Sequence, residues 1–285
     1  MSSNYWKIPY ERLPSLGKKY PENSSIRFRC LTIGDLKYLT TINESNATEM
    51  VNDILCRSLK LDGFEFSELL KMDRLTLLFY IRTNTFMLSS GYQTEFVCPF
   101  CNSRVMSEFK MSDLKVKKIT ESRIGSCEID GLGTVTGMQF GILHPDRKSG
   151  DRDVDMILNN TDIYRCADRS DKEWVDYLNE LPADDFAKLK HIASDARSGI
   201  LGFVDLPCTK CNSKLRIGVD ISDKNLFNKV SLTTITKNKI QVCKYCGIVL
   251  DDDMPYNEAE LTIALVNDLS EKEAKDMKNR KKAGN

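Results

Sequence analysis

The chain has 285 residues, and its 41 basic and 41 acidic side chains cancel. This length allows a sizeable hydrophobic core in one large domain or two smaller ones, and the balanced charge supplies no field for holding a polyanion. The start of the chain lacks the apolar segment of an export signal, and no apolar run approaches the length of a membrane span. We therefore expect a soluble protein of the cytosol with no membrane partner.

Apolar periodicity predicts mixed helices and strands in the first third of the chain. A strand is expected over 26–31, a short helix over 35–39, and amphipathic helices within 46–60 and 72–86. The helix within 72–86 has a broad apolar face, which is typical of a central, buried helix. Its main stripe consists of Leu75, Leu78, Phe79 and Arg82.

The middle of the chain alternates between strand and helix patterns. Two strands around a Cys-x-x-Cys pair are predicted within 92–111, with further strands at 126–129 and 134–142. Short helices are predicted at 153–160, 162–169, 171–181 and 183–196, and Asp184 or Asp185 is expected to lead the last. A second hairpin follows within 199–221.

The segment after Asn228 differs in kind. It is predicted to contain a polar strand-like run, then a third Cys-x-x-Cys pair at Cys243 and Cys246, and finally a charged helix over 258–282. We expect two units, a domain over 1–227 and a C-terminal extension over 228–285.

Cysteine spacing is the strongest chemical signal in the sequence. Six of the ten cysteines form three Cys-x-x-Cys pairs, and a chain without an export signal favours metal binding over a disulfide framework. Two of the pairs lie in similar stretches, FVCPFCNSRV and LPCTKCNSKL, which share both cysteines and the following Asn-Ser. Alternating apolar residues continue beyond both pairs, so we interpret them as two copies of a strand, a knuckle and a strand.

One knuckle supplies two thiolates, whereas a structural zinc ion needs four ligands. The similar hairpins suggest one site from Cys98, Cys101, Cys208 and Cys211, brought together by the helices between them. A zinc ribbon from Cys208, Cys211, Cys243 and Cys246 is the alternative, since Gly247 permits a tight turn after the third pair. A cluster with two ions, or a metal shared between subunits, also stays open.

Other chemistry has little support in the sequence. The histidines, His144 and His191, are interpreted as surface or core residues rather than ligands. Each cysteine pair is followed by strand-like alternation rather than a helix, which argues against thioredoxin-like redox chemistry. We find no phosphate-binding glycine loop, nucleophile elbow or spaced carboxylate and histidine set. We therefore predict no enzyme activity and no small-molecule substrate.

The order of the segments resembles the T4-type bacteriophage baseplate family, whose members build the central hub of a contractile tail. The resemblance rests on LPSLGKKYPENSSIRFRCLTIGDLKYL, LLKMDRLTLLFYIRTNTF, TEFVCPFC, VDYLNELPADDFAKLKHIASD and DLPCTKCNSKLRIGVDISDKNLF, and covers about residues 8–227. The two knuckles recur in that family, although not in every member, which favours the site that joins the hairpins.

The pattern of helices combined with β-hairpins predicts an α+β fold, and the resemblance implies a non-enzymatic role in the baseplate hub or in its assembly. It implies other hub or tail proteins as partners, structural zinc as the cofactor, and a location in the host cytoplasm during assembly and then in the virion tail. The alternative is a zinc-ribbon adaptor that binds nucleic acid or the transcription machinery through lysines near the third pair: Lys237, Lys239 and Lys244.

Overall fold

The computed structural model describes residues 4–88, 91–119, 125–137, 149–196, 199–227 and 231–283, with side chains up to residue 277. The strands are β1 (Trp6–Lys7), β2 (Ser25–Phe28), β3 (Leu59–Asp62), β4 (Tyr92–Val97), β5 (Arg104–Phe109), β6 (Val116–Lys117), β7 (Ser126–Ile129), β8 (Gly133–Thr136), β9 (Gly199–Ile200), β10 (Phe203–Pro207) and β11 (Lys214–Gly218). The α-helices are α1 (Ile33–Leu39), α2 (Ala47–Ser58), α3 (Arg74–Thr85), α4 (Arg152–Asn160), α5 (Asp171–Glu180), α6 (Ala183–Asp195), α7 (Asp223–Leu226), α8 (Leu232–Cys246) and α9 (Tyr256–Ala283).

All the strand pairings in the described ranges are antiparallel. Strands β1, β2 and β3 form one sheet in that order, and four two-stranded units pair β4 with β5, β6 with β9, β7 with β8, and β10 with β11. The α+β class is confirmed at this level, because helices pack beside antiparallel sheet without a parallel βαβ unit in these pairings.

The first three helices form where the sequence predicts them. Thr32 caps α1 in a reciprocal capping box with Asp35, and the predicted apolar face of α2 is buried. Helix α3 is the central element, with Leu77, Leu78 and Phe79 fully buried in the main core. The broad apolar pattern of α3 thus reports burial on several sides rather than one.

Asp73 precedes α3 and joins it to the N-terminal segment. Its carboxylate accepts hydrogen bonds from the Ser15 backbone N–H at 2.9 Å, the Ser15 hydroxyl at 2.6 Å and the Tyr20 hydroxyl at 2.6 Å. The group is completely buried, and burial raises the pKa of Asp73 to about 6 although these hydrogen bonds oppose the shift. A turn-rich segment of the sequence is thereby fixed against the core.

Helices α4 to α6 pack with β7 and β8 around a second core centred on Trp174. Two details differ from the predictions in this part of the chain. The helix expected over 162–169 is only a 3-10 turn, Ile163–Arg165, and α6 begins after Pro182, with Asp184 and Asp185 inside its first turn. Pro fits the start of a helix because the first N–H groups have no partner within it. Residues 138–142 of the expected strand lie outside the described residues.

The predicted strand-like run after Asn228 is wrong, since residues 232–246 form helix α8. Threonine and isoleucine in LTTITKNKI favour a strand by propensity, but the side chain of Ser231 caps a helix by accepting from Thr234 N–H at 3.1 Å. Ile235 and Val242, seven residues apart, then bury one helix face in the main core.

The final helix, α9, contains the predicted range 258–282 and starts slightly earlier. Ala259 and Val266 on α9 also belong to the main core. Residues on both sides of position 228 therefore share one core, and the division into 1–227 and 228–285 stays a prediction. Within the described ranges, no helix combines the length and apolar character that a membrane crossing requires.

Candidate metal centre

The first knuckle is a tight turn between β4 and β5. Cys98 donates its N–H to Ser103 O at 3.0 Å, and Asn102 donates its N–H to Cys98 O at 2.9 Å. Asn102 adopts a left-handed conformation with φ of 53°, which asparagine tolerates better than most residues. This turn points Cys98 and Cys101 to the same side of the hairpin end.

The second knuckle, between β10 and β11, repeats this geometry. Cys208 donates to Ser213 O at 2.9 Å, Asn212 donates to Cys208 O at 2.8 Å, and Asn212 has φ of 61°. The shared Asn-Ser after each pair thus has a structural reason: asparagine supplies the left-handed residue, and the serine carbonyl closes the turn. The predicted duplication of a strand, a knuckle and a strand is present in three dimensions.

The buried Arg82 links α3 to the first hairpin and to α7, the short helix that follows the second hairpin. Its guanidinium carbon lies 3.5 Å from the ring centroid of Tyr92 at the start of β4, and its Nε donates to Leu226 O at 2.7 Å, at the end of α7. Nearby, Arg74 makes a two-pronged ion pair with Asp223, both contacts being 2.8 Å. Helix α3 therefore contacts the first hairpin directly and is tied to the segment after the second hairpin through α7.

This arrangement corrects one sequence expectation. The helices between the hairpins were expected to bring them together, but α4 to α6 pack largely around their own core. Sequence reasoning placed Arg82 on the apolar stripe of α3 without giving it a role. A lone arginine within an apolar helix stripe is a sequence signal for a structural role, because a buried charge needs specific partners.

The four cysteines of the two knuckles form one cluster whose sulfurs all lie within 4.8 Å of one another. Cys98 Sγ is 3.7 Å from Cys211 Sγ, and Cys101 Sγ is 3.8 Å from Cys208 Sγ. A tetrahedral zinc site with Zn–S bonds of about 2.3 Å requires sulfurs about 3.8 Å apart. A disulfide requires about 2.05 Å, so these separations suit a shared ion and not a bonded pair.

An apolar shell covers one side of the cluster. Val105 and Leu215 are buried against the sulfurs, and Phe96 and Ile217 pack beside them. Cys98 and Cys208, the first cysteine of each knuckle, are buried, whereas Cys101 is half-buried and Cys211 is exposed. The site is small and shielded from solvent on one side. It fits a metal ion with four protein ligands and no open coordination position, as in structural rather than catalytic zinc sites.

The electrostatics differ between the buried and the outer sulfurs. Burial raises the pKa of Cys98 to about 11. On the outer side, Ser213 lowers the pKa of Cys211 to about 6, and Ser103 lowers the pKa of Cys101, in both cases through the serine hydroxyl and backbone N–H. Each hairpin thus has an outer thiol whose pKa is lowered, and a bound cation would favour the thiolate form of all four cysteines.

The structure does not bring the third pair to this cluster. Cys243 and Cys246 lie exposed in the last turn of α8, and Gly247 ends that helix with φ of 66°. The knuckle predicted for this pair is therefore wrong, because the residues are helical. Among the described residues, the four-cysteine cluster is the one group of three or more His, Cys, Asp or Glu side chains that lie close enough together to bind a metal ion.

His191, the histidine within the described residues, does not join the cluster. His191 lies on the exposed surface of α6, with Nδ1 3.4 Å from an oxygen of Asp195. His144 lies outside the described residues.

The fold and the cluster define a mixed helical and antiparallel-sheet protein in which two paired hairpins present a four-cysteine site. A family model described as T4 bacteriophage base plate protein matches residues 6–228, and the chain belongs to that family. This confirms the resemblance drawn from the order of the segments. No curated protein and no solved structure matches the chain.

Proposed function

We propose that this chain is a non-enzymatic structural or assembly component of the baseplate hub in a contractile phage tail. Family membership supports a baseplate protein whose partners are other phage tail proteins. The hub assignment is our own extension, drawn from the order of the segments. On this proposal the protein acts in the host cytoplasm during assembly and then in the virion tail.

We further propose that one structural zinc ion is bound by Cys98, Cys101, Cys208 and Cys211. The observation that carries this proposal is the placement of four sulfurs, from hairpins more than a hundred residues apart, within 4.8 Å of one another. A thiolate set of this size and spacing is the preferred ligand set of zinc. The ion would fix the tips of the two hairpins to each other.

Rigidity is the functional gain that this site offers a baseplate component. A subunit that docks against neighbours binds more tightly when its surfaces are ordered before contact, because less conformational entropy is lost on association. Zinc has no redox chemistry of its own, so a closed site adds stiffness without reactivity. The cluster therefore supports a building block and not a reaction centre.

The zinc proposal is tested by elemental analysis of the purified full chain. We expect zinc equimolar with protein, and its removal by a chelator should release the hairpin tips. Hydrogen exchange of the Cys98 and Cys208 amides, which are bonded within the knuckles, should then accelerate. A metal-free protein with equally protected knuckle amides would contradict the proposal.

The hub proposal is tested separately by isolating the tagged chain from infected cells. We expect baseplate hub proteins among the recovered proteins, identified by mass spectrometry. The same isolation is repeated with a tagged Cys98→Ser and Cys208→Ser double variant. We expect it to recover less of the hub proteins, because the two hairpins are no longer held rigidly together. Recovery of peripheral tail proteins without hub proteins would contradict the hub assignment while leaving family membership intact.

The alternative function, a zinc-ribbon adaptor for nucleic acid, gains no specific support. It needed Cys243 and Cys246 in a knuckle, and these residues are helical. Of the lysines expected to contact phosphates, Lys239 is paired with Asp252 at 2.6 Å.

A further inference from the structure

The outer edge of β4 is open. In an antiparallel pair, alternate residues exchange hydrogen bonds with the neighbouring strand, and the bond from Cys98 N–H to Ser103 O sets this alternation for β4 and β5. The residues in between direct their backbone N–H and C=O groups away from β5. They are Gln93, Glu95 and Val97, which we call the β4 edge. In the described ranges no other strand pairs with this side of β4, so its backbone groups are free to pair with an added strand.

A cavity of about 370 Å³ lies beside the β4 edge. It is lined by four consecutive residues, Tyr92–Glu95, and by Val219, Asp220 and Asn225 of the segment after β11. Because consecutive strand residues point to opposite faces, a cavity that contacts four in a row lies along the edge of the strand. Asp220 is held in place, since its carboxylate accepts from Ser222 N–H at 2.9 Å. The β4 edge therefore forms one side of a groove that exists before any partner binds.

The first hairpin also exposes apolar side chains that the second hairpin lacks. Val97, Phe100 and Met106 are 61%, 72% and 58% exposed, and Val97 and Met106 lie on the same face of the hairpin. The second hairpin forms the same turn. At the aligned positions it has Pro207, Lys210 and Arg216. The knuckle itself therefore does not require this apolar surface, which is available for contact with a partner.

The same comparison shows an open and a closed version of one backbone position. Val97 and Pro207 are aligned, and both precede the first cysteine of their knuckle. Proline has no N–H, so the second hairpin cannot donate a hydrogen bond outward from this position, whereas the first hairpin can. The hairpin fold tolerates either residue, because neither position bonds to its paired strand.

We propose that the β4 edge binds an extended segment of another tail protein of the same phage, which adds to β4 as a further strand. Main-chain hydrogen bonds to Gln93, Glu95 and Val97 hold the segment. Its side chains alternate, so that one set contacts Val97 and Met106 and the other set enters the cavity. The class of partner follows from membership of the baseplate family, and neither the hub assignment nor the zinc ion is needed.

A second copy of the chain is a poorer occupant of the β4 edge. The two-fold pairing that uses all three outward residues sets Glu95 directly opposite Glu95 of the other copy. Like charges in directly opposite positions destabilise a strand pair. A segment of a different protein is free of this restriction.

The test uses the full chain and synthetic peptides of about 12 residues, twice the common length of a strand. The peptides are labelled with a fluorophore, tile the other tail proteins of the phage, and are screened by fluorescence anisotropy. We expect overlapping peptides from at least one protein to bind with a Kd on the order of micromolar. In the complex, hydrogen exchange of the Gln93, Glu95 and Val97 amides should slow by about tenfold or more.

Val97→Pro is the decisive variant, because it copies the residue of the second hairpin. It removes one outward N–H, so the peptide should bind about tenfold more weakly. Val97→Thr is the matched control: it keeps the N–H and the branched shape, and the affinity should change by less than about threefold. Thermal unfolding of both variants confirms that they are folded.

A second measurement leaves the protein unchanged and alters the peptide instead. Alternate backbone nitrogens of a bound peptide are methylated, in two versions that are shifted by one residue. The set that faces β4 loses its donors, and its affinity should fall by at least about tenfold. The other set faces away from β4 and should bind within about threefold of the unmethylated peptide.

Four outcomes would overturn the proposal. They are a screen in which no peptide binds, equal binding by the wild type and a folded Val97→Pro variant, equal loss of affinity from both methylated sets, and self-association of the wild type that Val97→Pro abolishes. The last result, measured by sedimentation velocity, would make a second copy of the chain the occupant of the β4 edge.

Discussion

Replacing Cys98 by serine is the sharpest test of the metal centre. Cys98 is fully buried, and its sulfur lies 3.7 Å from that of Cys211, which is 113 positions away in the chain. A serine hydroxyl stays neutral near pH 7 and is a poor zinc ligand, so Cys98→Ser leaves three thiolates for an ion that needs four. The variant should lose the ion or hold it much more weakly.

The size of the effect follows from the loop that the ion closes. In the chain-entropy treatment, a cross-link spanning a loop of 100 residues or slightly more contributes about 5 kcal/mol. Domains are typically stable by about 5–15 kcal/mol in total, so this loss is a large part of the whole. At about 2–4 °C per kcal/mol for a chain of this size, the unfolding temperature should fall by about 10–20 °C.

The assay pairs differential scanning calorimetry with elemental analysis of the same samples. The matched control is Cys243→Ser with Cys246→Ser, which removes two exposed thiols from α8 and should change neither zinc content nor unfolding temperature. The reasoning is refuted if Cys98→Ser retains equimolar zinc and unfolds within about 2 °C of the wild type. Loss of zinc in the α8 control would likewise refute the assignment.

Three further predictions concern the packing that supports the site. Burial raises the pKa of Asp73 to about 6, so the folded chain binds a proton at this carboxyl group more tightly than the unfolded chain does. The protonated group therefore adds about 3 kcal/mol to the free energy of unfolding below about pH 4, and this stabilisation is lost as the pH rises through 6. Urea unfolding of Asp73→Asn should show a weaker pH dependence over that range, and an unchanged dependence would contradict this. Arg82→Leu should cost about 3 kcal/mol in the same assay, since it leaves the Leu226 carbonyl without this donor and removes the contact with Tyr92; a cost below about 1 kcal/mol would show that Arg82 does not hold α3 against β4 and α7. Asn212→Val should cost about 1–2 kcal/mol because φ there is 61°, whereas Asn212→Gly should be close to neutral, and equal stability of the two variants would argue against the left-handed turn.

Local patterns were sufficient for much of this protein. The apolar periodicity of α2 and α3 predicted both helices and their buried faces, and the repeated Cys-x-x-Cys-Asn-Ser predicted two matching knuckles. These features are encoded within about ten consecutive residues, where helix and strand periods and turn chemistry act directly. The family resemblance also followed from the order of such segments.

Local patterns failed where the secondary structure of a segment depends on contacts with residues that are distant in the sequence. The run LTTITKNKI has strand propensity, yet it is helical because Ile235 and Val242 meet the main core from one face. The same error made Cys243 and Cys246 resemble a third knuckle. The role of Arg82 was equally hidden, since its partners Tyr92 and Leu226 are 10 and 144 positions away.

The sequence by itself determined which thiols come in pairs, how each knuckle turns and to which family the chain belongs. Only the tertiary structure decided that the pairs at Cys98 and Cys208 share one cluster, while the pair at Cys243 lies apart on a helix. The physical reason is that knuckle geometry is set by neighbouring residues. The meeting of two knuckles depends on tertiary packing, in which a buried arginine of α3 contacts the first hairpin at Tyr92 and the helix after the second hairpin at Leu226.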